Sequence, residues 1–206
     1  MELLVLILAI VALAVPFVIE SLKRPRIEMK AERWVPQGPV QWTFAVVHVR
    51  VRPLPRLIRS VLVRESAAGC TATVEFRQNG ELVMPEVPAR WSSRPEPVRL
   101  EIRQSANVTQ LVGVYVPENV PQTKTLDLAP GRWEEVAVAI LRDDGEAFAF
   151  GAESYAHNEW RNPAWKLDRG VYVVTVRVEA SGLSASGQFR LDNLAADFNR
   201  FRLTAG

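Results

Sequence analysis

The chain has 206 residues, 48% of them hydrophobic, and its 25 lysines and arginines nearly balance 23 aspartates and glutamates, for a net charge of +2. This composition excludes a disordered chain and a polytopic membrane protein, and the lack of a long basic tract argues against a nucleic-acid-binding protein. Because Cys70 is the only cysteine and there are two histidines, the sequence excludes an intrachain disulfide and a finger-type zinc site, and it predicts no cofactor.

The first predicted element is a hydrophobic segment, Leu3 to Ile19, without a charged side chain. As a helix it would rise about 26 Å, close to the thickness of a bilayer core. A cleavable signal peptide would begin with basic residues, and here only Glu2 precedes the segment, so we expect an uncleaved anchor. The predicted organisation is a transmembrane anchor helix over 1–22 that contacts lipid through residues 3–19, a basic juxtamembrane linker over 23–30, and a β-sandwich domain over 31–206.

Basic residues cluster after the hydrophobic segment, at Lys23, Arg24, Arg26, Lys30 and Arg33. The positive-inside rule then places the N-terminus outside and the domain in the cytoplasm. An extracytoplasmic domain remains the alternative. Lys23, Arg24 and Arg26 would also contact anionic lipid headgroups.

Two segments follow that differ in periodicity. Val47, Val49 and Val51 alternate with polar residues, which predicts a half-buried strand. The stretch from Pro55 to Arg64 instead has apolar residues at helical spacing, with Arg56 and Arg59 among the other positions. It is interpreted either as a basic amphipathic helix on the membrane surface or as a helix that caps one end of the sandwich.

Strand patterns dominate the middle of the chain. The segment Cys70 to Phe76 alternates, and Asn79-Gly80 supplies the positive φ pair of a two-residue hairpin turn before a return strand over Glu81 to Met84. For a polar-aromatic stretch, Arg90 to Pro95, the sequence leaves open at which end of the domain it lies. Leu100 and Ile102 alternate with charged residues, which predicts another strand of the sandwich.

The next strand patterns complete the predicted sandwich. Val136 to Leu141 is apolar at every position, as expected for a central strand, and Asp144-Gly145 turns the chain into a strand over Ala147 to Phe150. Val171 to Val178 and Gly187 to Leu191 predict the last hairpin. Together with the proline- and glycine-bearing turns, these segments predict a mainly β protein: an antiparallel sandwich with one or two short helices.

The connection from Tyr155 to Trp165 is the least ordinary part of the sequence, because it combines three aromatic residues with a histidine and several polar groups. Such combinations are typical of sugar-binding surfaces and of protein-binding hot spots. In the structural alternative, Trp160 and Trp165 close the open end of the sandwich. The candidate binding surface consists of Tyr155, His157, Asn158, Trp160, Arg161 and Trp165.

Asp168, Gly170 and Tyr172 form a D-x-G-x-Y motif that resembles the tyrosine corner of immunoglobulin-like and related Greek-key domains. The resemblance covers about twenty residues and implies that the tyrosine hydroxyl bonds back to the backbone. The last segment, Leu194 to Leu203, has Leu194, Phe198 and Phe201 on one helical face, and we expect a terminal element packed on the domain rather than a docking helix.

No sequence motif of a nucleophile elbow, a phosphate-binding loop or a zinc protease is present, so no catalytic, cofactor-binding or metal-binding residue is predicted. The leading hypothesis is a non-enzymatic, single-pass interaction or assembly module that engages a protein partner at the membrane. One alternative is an envelope-facing carbohydrate-binding module that uses the loop over 155–165 and requires an extracytoplasmic domain. Another is an enzyme whose site is assembled from scattered residues.

Overall fold

The computed structural model describes residues 2–33, 41–105 and 108–206, and the side chains of these except 2–11, 33, 103, 105 and 108–111. The α-helices in these ranges are α1 (Glu2–Lys23), α2 (Arg56–Arg59) and α3 (Val120–Lys124). The strands are β1 (Ile27–Arg33), β2 (Trp42–Val51), β3 (Ala67–Gln78), β4 (Glu81–Leu82), β5 (Val87–Pro88), β6 (Arg90–Trp91), β7 (Val98–Ser105), β8 (Val108–Tyr115), β9 (Thr125–Leu128), β10 (Glu134–Arg142), β11 (Ala147–Ala149), β12 (Lys166–Leu167), β13 (Gly170–Ala180), β14 (Leu183–Asn193) and β15 (Arg202–Ala205). The protein is therefore mainly β, with antiparallel pairing between these strands.

The hydrophobic segment forms α1, which contains Pro16 and ends at Lys23. Leu13 and Phe17 expose 70% and 77% of their surface. The predicted anchor side chains over 3–11 lie outside the described residues, as does the side chain of Arg33. In the part of the chain that the structure describes, no helix combines the length and the hydropathy needed to cross a bilayer.

The first sheet has the order β1-β2-β10-β11-β12, and β6 also pairs with β10. The predicted alternation in β2 is confirmed, because Val47, Val49 and Val51 are fully buried. The predicted central strand is confirmed as well: β10 pairs with β2 on one side and with β6 and β11 on the other. Burial on both faces explains why Val136 to Leu141 is apolar throughout.

The second sheet has the order β15-β14-β13-β3-β4, and β5 and β9 also pair with β3. The turn between β3 and β4 is the predicted one, since Asn79 and Gly80 have φ angles of 53° and 86°. The return strand β4 ends at Leu82 and is shorter than predicted. The predicted last hairpin is confirmed by β13 and β14, which stay in continuous register from Gly170 to Ala180.

Both sheets contribute side chains to one main core, in which Phe76, Trp91, Tyr172 and Leu191 are fully buried. The Trp91 Nε1–H group donates to the Cys70 carbonyl oxygen at 3.1 Å, so its burial leaves no donor unpaired. Cys70 is itself buried, and burial raises the pKa of its thiol. This cysteine packs as a small apolar residue, as its position in the alternating strand predicts.

A buried hydrogen-bond cluster fixes the arch between β12 and β13. The Tyr172 hydroxyl donates to the Asp168 carbonyl oxygen at 2.7 Å, which is the bond that the D-x-G-x-Y resemblance implies. The Asn193 amide group donates to the same carbonyl at 2.8 Å and to the Leu167 carbonyl at 3.2 Å. The wider relation to immunoglobulin-like domains stays a prediction.

The segment with Leu100 and Ile102 is a strand, but its predicted place in the sandwich is wrong. β7 and β8 pair with each other as a separate two-stranded sheet. Leu100 and Ile102 remain 64% and 69% exposed. Alternation shows that one face of a strand is apolar, and it carries no information about which element covers that face.

The helix predicted over Pro55 to Arg64 is reduced to the single turn α2, which buries no residue. The interpretation as a helix that caps the sandwich is therefore wrong. One turn is too short to gain from helix propagation, and the β-branched Val61 and Val63 follow where a longer helix would continue.

The helical spacing over Leu194 to Leu203 does not correspond to a helix. The chain forms a turn in which the Arg200 and Phe201 N–H groups donate to the Asp197 carbonyl oxygen, and then continues as β15 along the edge of β14. Phe201 and Leu203 are buried, so this terminal element packs on the domain as expected. The free edge of β14 supplies backbone partners that an isolated amphipathic pattern does not reveal.

Candidate binding groove

A second, smaller apolar cluster lies on the face of the first sheet that points away from the main core. Its buried members are Ala137, Ile140, Phe148 and Phe150, which alternate along the chain with core residues of β10 and β11. A register shift between Ala137 and Ala139 marks a bulge in β10 at this point. This outer face needs a cover, because an aromatic patch of this size would otherwise contact water.

The cover is the aromatic segment, residues 152–165, which folds into three short 3-10 turns. Trp160 makes edge-to-face contacts with Trp42 at 5.1 Å, with Tyr155 at 5.9 Å and with Phe150 at 6.0 Å between ring centroids. Tyr155 also contacts Phe150 at 5.8 Å. Such ring pairs stabilise the arrangement beyond simple burial, so Trp160 is the central residue of the cover.

The backbone of the aromatic segment is strained where Trp160 lies. Glu159 and Trp160 have φ angles of 50° and 62°, a left-handed region that bulky residues rarely adopt. Each such residue costs about 1–3 kcal/mol and persists only where the surroundings hold it. The ring contacts of Trp160 and the ion pairs of its neighbours provide that hold.

Arg161 forms the main ion-pair contact of the segment with the rest of the domain. Its guanidinium pairs with Glu146 at 2.6 Å, with Glu159 at 3.2 Å and with Asp144 on the β10–β11 turn. The buried Arg142 also pairs with Glu159, at 2.9 Å. Arg161 was predicted as a binding residue. In the structure its ion pairs join the aromatic segment to the β10–β11 turn, and we call this group of ion pairs the clamp.

Two carboxyl groups of this clamp have lowered pKa values. The Glu146 backbone N–H, followed by Arg161, holds the pKa of Asp144 below its usual range. A hydrogen bond from Lys166 does the same for Glu146. Their contribution to stability is present above the ordinary pKa values of these carboxyls and is lost as the pH falls through the lowered ones.

A pocket of about 240 Å³ opens beside the aromatic segment. Five of its eleven lining residues are aromatic, and polar groups come from the stretch before β7 and from β10. The lining residues are Trp42, Phe44, Val46, Arg90, Ser92, Glu96, Glu135, Ala137, Phe150, Tyr155 and Trp160. An apolar wall with a few polar groups is the usual composition of a ligand pocket.

Arg90 is the least satisfied polar group of this pocket. It is buried, its guanidinium donates to the Arg94 carbonyl oxygen at 2.6 Å, and its Nε has no hydrogen-bond partner among the described residues. The guanidinium carbon lies 5.6 Å from the centre of the Tyr155 ring. The Tyr155 hydroxyl donates to Glu96 at 3.1 Å, and burial raises its pKa. The guanidinium group of Arg90, the Tyr155 ring and Glu96 thus lie together in the wall of the pocket.

A wider cleft of about 500 Å³ continues from the pocket, and the two share Glu96, Tyr155 and Trp160. The β7–β8 hairpin forms the opposite wall. The remaining lining residues are Val98, Leu100, Gly113, Tyr115, Ala156, His157, Asn158 and Glu159. We call the pocket and the cleft together the groove.

The structure brings four of the six predicted binding residues together. Tyr155, His157, Asn158 and Trp160 line the groove. Trp165 does not, because it is 9% exposed and packs in the main core, so the structural alternative is correct for this residue. Arg161 does not line the groove either.

Several groove residues could not be assigned to it from the sequence. Arg90 and Ser92 come from the polar-aromatic stretch whose location the sequence left open, whereas its Trp91 is in the main core. Leu100 and Tyr115 come from the hairpin. The feature that marks Leu100 as a groove residue is its exposure to solvent. An alternating strand pattern does not predict whether the apolar face of the strand is exposed.

Two carboxylates of the groove have structural partners. Glu135 lies 3.3 Å from His48, and Glu96 accepts the hydrogen bond from Tyr155. Within the described ranges, no group of three or more His, Cys, Asp and Glu side chains is arranged to hold a metal ion.

The candidate membrane-surface residues lie at one end of the domain. Lys23 ends α1, and Arg24 and Arg26 are exposed directly after it. Arg56 and Arg59 are exposed on α2. The Glu65 N–H group donates to the Lys23 carbonyl oxygen at 2.8 Å, so the connection that carries α2 returns to the end of α1.

Comparison with known proteins identifies no family. No family model matches the chain, and no curated protein matches it. One solved structure, a family 123 glycoside hydrolase from Clostridium perfringens studied for glycolipid glycan hydrolysis, aligns with a TM-score of 0.33 and 9% identity over 87% of this chain and 27% of that one. The chain thus spans about a quarter of the length of that structure, and the likeness is too weak to carry an argument.

Proposed function

We propose that this chain is a non-enzymatic, membrane-anchored interaction module. Its α1 helix holds the domain at a bilayer through residues 3–19, and its groove binds a protein partner. The separate β7–β8 hairpin is the observation that supports the binding of a protein partner. The uncharged run from Leu3 to Ile19 supports the anchoring at a bilayer.

The β7–β8 hairpin has the features of a surface that binds an extended polypeptide. A two-stranded sheet by itself is marginally stable in water, and β7 and β8 pair with no further strand among the described residues. Among the described residues, each strand therefore has one edge that no further strand pairs, beside the exposed Leu100 and Ile102. An extended peptide that adds a strand to such an edge gains backbone hydrogen bonds and apolar contacts together.

The groove favours binding over catalysis. Glu96, Glu135 and Glu159 are its carboxylates, and each already has a structural partner in Tyr155, His48 or Arg142. A general acid or base needs a position from which it reaches substrate. Carboxylates that already hold structural partners are better suited to maintaining the shape of the groove than to acid–base catalysis. A preformed groove lowers the entropic cost of binding a partner.

A photo-crosslinker placed at Leu100 is expected to capture one protein partner in native membranes. Leu100 is 64% exposed and faces the cleft, so a bound chain would lie within reach of a benzophenone side chain there. The matched control is Val173, which is also apolar and 46% exposed but lies on β13 in the other sheet. The measurement is the mass of the adducts after irradiation and affinity purification.

A discrete adduct from position 100 that is absent from position 173 supports the proposal. The charged double variant Leu100→Asp with Ile102→Asp should remove the partner from a pull-down of the full chain. The same adducts from both positions, or none from position 100, would overturn it. An adduct of twice the chain's mass would identify a second copy as the occupant.

We further propose that the domain lies in the cytoplasm, on the basis of Lys23, Arg24, Arg26, Lys30 and Arg33 after the hydrophobic run. A C-terminal tag should then resist protease in sealed cells and be digested after lysis. Digestion in intact cells would contradict this orientation.

An extracytoplasmic domain would favour the second candidate function, carbohydrate binding. The observation behind it is the aromatic pocket with Arg90, Ser92 and Glu96 in its wall. In that case, binding to a glycan array should be lost on Glu96→Gln, which removes a charge from an exposed side chain and leaves the ring cluster intact. An enzyme with an unrecognised site would instead show turnover by the purified chain.

A further inference from the structure

The connection between β2 and β3 presents an unusual apolar surface. We call residues 57–63 the apolar loop. Leu57, Val61 and Val63 expose 92%, 88% and 74% of their surface, and Ile58 exposes 36%. Single exposed apolar residues are common, but several consecutive ones mark a contact surface.

The apolar loop lies at the end of the domain that α1 enters. β2 ends opposite the beginning of β1, where Val51 pairs with Ile27, and the Arg52 N–H group donates to the Arg26 carbonyl oxygen at 2.7 Å. On the other side of the loop, Glu65 bonds to the Lys23 carbonyl oxygen. Both ends of the connection are thus fixed within a few residues of the end of the helix.

Arg64 joins the loop to α1. This side chain is buried, its Nε donates to the Leu22 carbonyl oxygen at 3.1 Å, and its Nη1 donates to the Arg52 carbonyl oxygen at 2.7 Å. The Leu22 carbonyl belongs to the last turn of the helix, where carbonyl groups lack an intrahelical partner. The loop therefore has a defined position relative to the helix end.

Part of the loop backbone is already hydrogen-bonded locally. The Ile58 and Arg59 N–H groups donate to the Pro55 carbonyl oxygen, and those of Val61 and Leu62 donate to the Ile58 carbonyl oxygen. Backbone groups that already have partners can enter a lipid interface at low cost, whereas unpaired ones cannot.

We propose that the apolar loop is a second membrane contact, in which Leu57, Val61 and Val63 insert into the lipid interface. This inference rests on the proposed anchoring by α1. From Ile19, where the apolar run ends, to Lys23 a helix rises about 6 Å, which is the depth of the headgroup layer. The base of the loop thus lies at the level of the headgroups.

The arginines beside the apolar loop also favour contact with a lipid interface. Arg56 and Arg59 are exposed beside the apolar side chains, at the same end of the domain as Arg24 and Arg26. Apolar residues next to arginines match an interface in which acyl chains lie beneath anionic headgroups. Two attachments also orient the domain, which one flexible anchor would not.

Site-specific fluorescence on the full chain in vesicles tests this inference. Leu57→Cys is labelled with nitrobenzoxadiazole, and the chain is reconstituted in phosphatidylcholine vesicles that contain phosphatidylserine and brominated lipid. Leu82→Cys is the matched control, since Leu82 is 52% exposed at the end of β3 away from α1, and the twelve residues of β3 span about 40 Å. Leu13→Cys reports on the anchor. The wild-type chain, whose Cys70 is buried, measures background labelling.

The expected result is quenching and a blue shift at position 57 and neither at position 82. Arg56→Gln with Arg59→Gln should reduce the quenching at position 57 in anionic vesicles. Quenching at position 13 without quenching at position 57 would overturn the loop contact and leave the anchor in place. Quenching at position 57 alone would support the loop and refute the anchor, and no quenching at either position would refute both.

Discussion

Replacing Trp160 by alanine is expected to release the aromatic segment and to lower the free energy of unfolding by about 2–3 kcal/mol, less than for a fully buried tryptophan because this one is half-buried. Trp160 contacts four rings: Trp42, Phe44, Phe150 and Tyr155. Without these contacts only the ion pairs of Glu159 remain to hold the left-handed backbone at Glu159 and Trp160. Because Trp160 lines both parts of the groove, partner binding should be lost as well.

Trypsin cleavage after Arg161 measures the release of the segment, and urea unfolding of the full chain in detergent micelles measures the stability. Trp160→Phe retains a ring and should resist cleavage nearly as well as the wild-type chain. Trp133→Ala is the matched control, because Trp133 is also half-buried but contacts the cations of Lys30 and Arg50 at 4.8 and 4.1 Å. Its loss should cost about 1 kcal/mol. Equal effects of the two alanine variants would refute the central role of Trp160.

Much of the fold was predictable from the sequence, because several strands carry a local signal that tertiary packing preserves. Cys70 to Phe76 alternates and is buried on the apolar side, and Asn79-Gly80 adopts the backbone angles that its hairpin requires. Val136 to Leu141 is buried on both faces, as an unbroken apolar run indicates. In these cases residue type, turn chemistry and burial all favour the same structure.

Where the conformation of a segment depends on its neighbours in space, its sequence pattern predicted the wrong structure. The alternation around Leu100 and Ile102 is typical of a sandwich strand, but β7 and β8 pair with each other and with neither of the two larger sheets. Leu194 to Leu203 has helical spacing, but the edge of β14 offered it backbone partners.

The candidate groove could be predicted only in part. The aromatic segment was recognisable by its composition, and four of its residues do line the groove. Its other wall comes from Arg90, Glu96 and Leu100, which are more than fifty residues away in sequence. No local pattern encodes that pairing. Proximity in sequence can also mislead. Trp165 belongs to the aromatic segment that lines the groove, but its own ring packs in the main core.

Asn193→Asp should be more destabilising than any other change of one atom in the arch between β12 and β13. The Asn193 amide donates to the Leu167 and Asp168 carbonyl oxygens and is almost fully buried. A carboxylate at this position would face two carbonyl oxygens with no proton to donate, and only Arg169, at 3.2 Å from the side-chain oxygen, would offset its charge. We expect a loss of about 3 kcal/mol at neutral pH, since a buried charge facing acceptors costs more than a missing hydrogen bond.

The pH dependence distinguishes this mechanism from a general loss of packing. The introduced carboxyl has a raised pKa in the folded state, so its penalty is present above that pKa and shrinks as the pH falls and the group gains a proton to donate. The wild-type chain behaves in the opposite way, because the lowered pKa values of Asp144, Glu146 and Asp192 make it lose stability with acid. The difference in urea midpoint between the two chains should therefore narrow from pH 7 to about pH 5.

Two further variants complete this comparison. Asn193→Ala should lose about 1–3 kcal/mol at either pH, because it removes the two hydrogen bonds that the buried amide donates without adding a charge. Tyr172→Phe should lose about 1 kcal/mol, because the Asp168 carbonyl that accepts its hydroxyl keeps the hydrogen bond from Asn193. A penalty for Asn193→Asp that stays constant with pH would contradict this mechanism, because it would mean that the introduced carboxylate is solvated and does not face the two carbonyl oxygens.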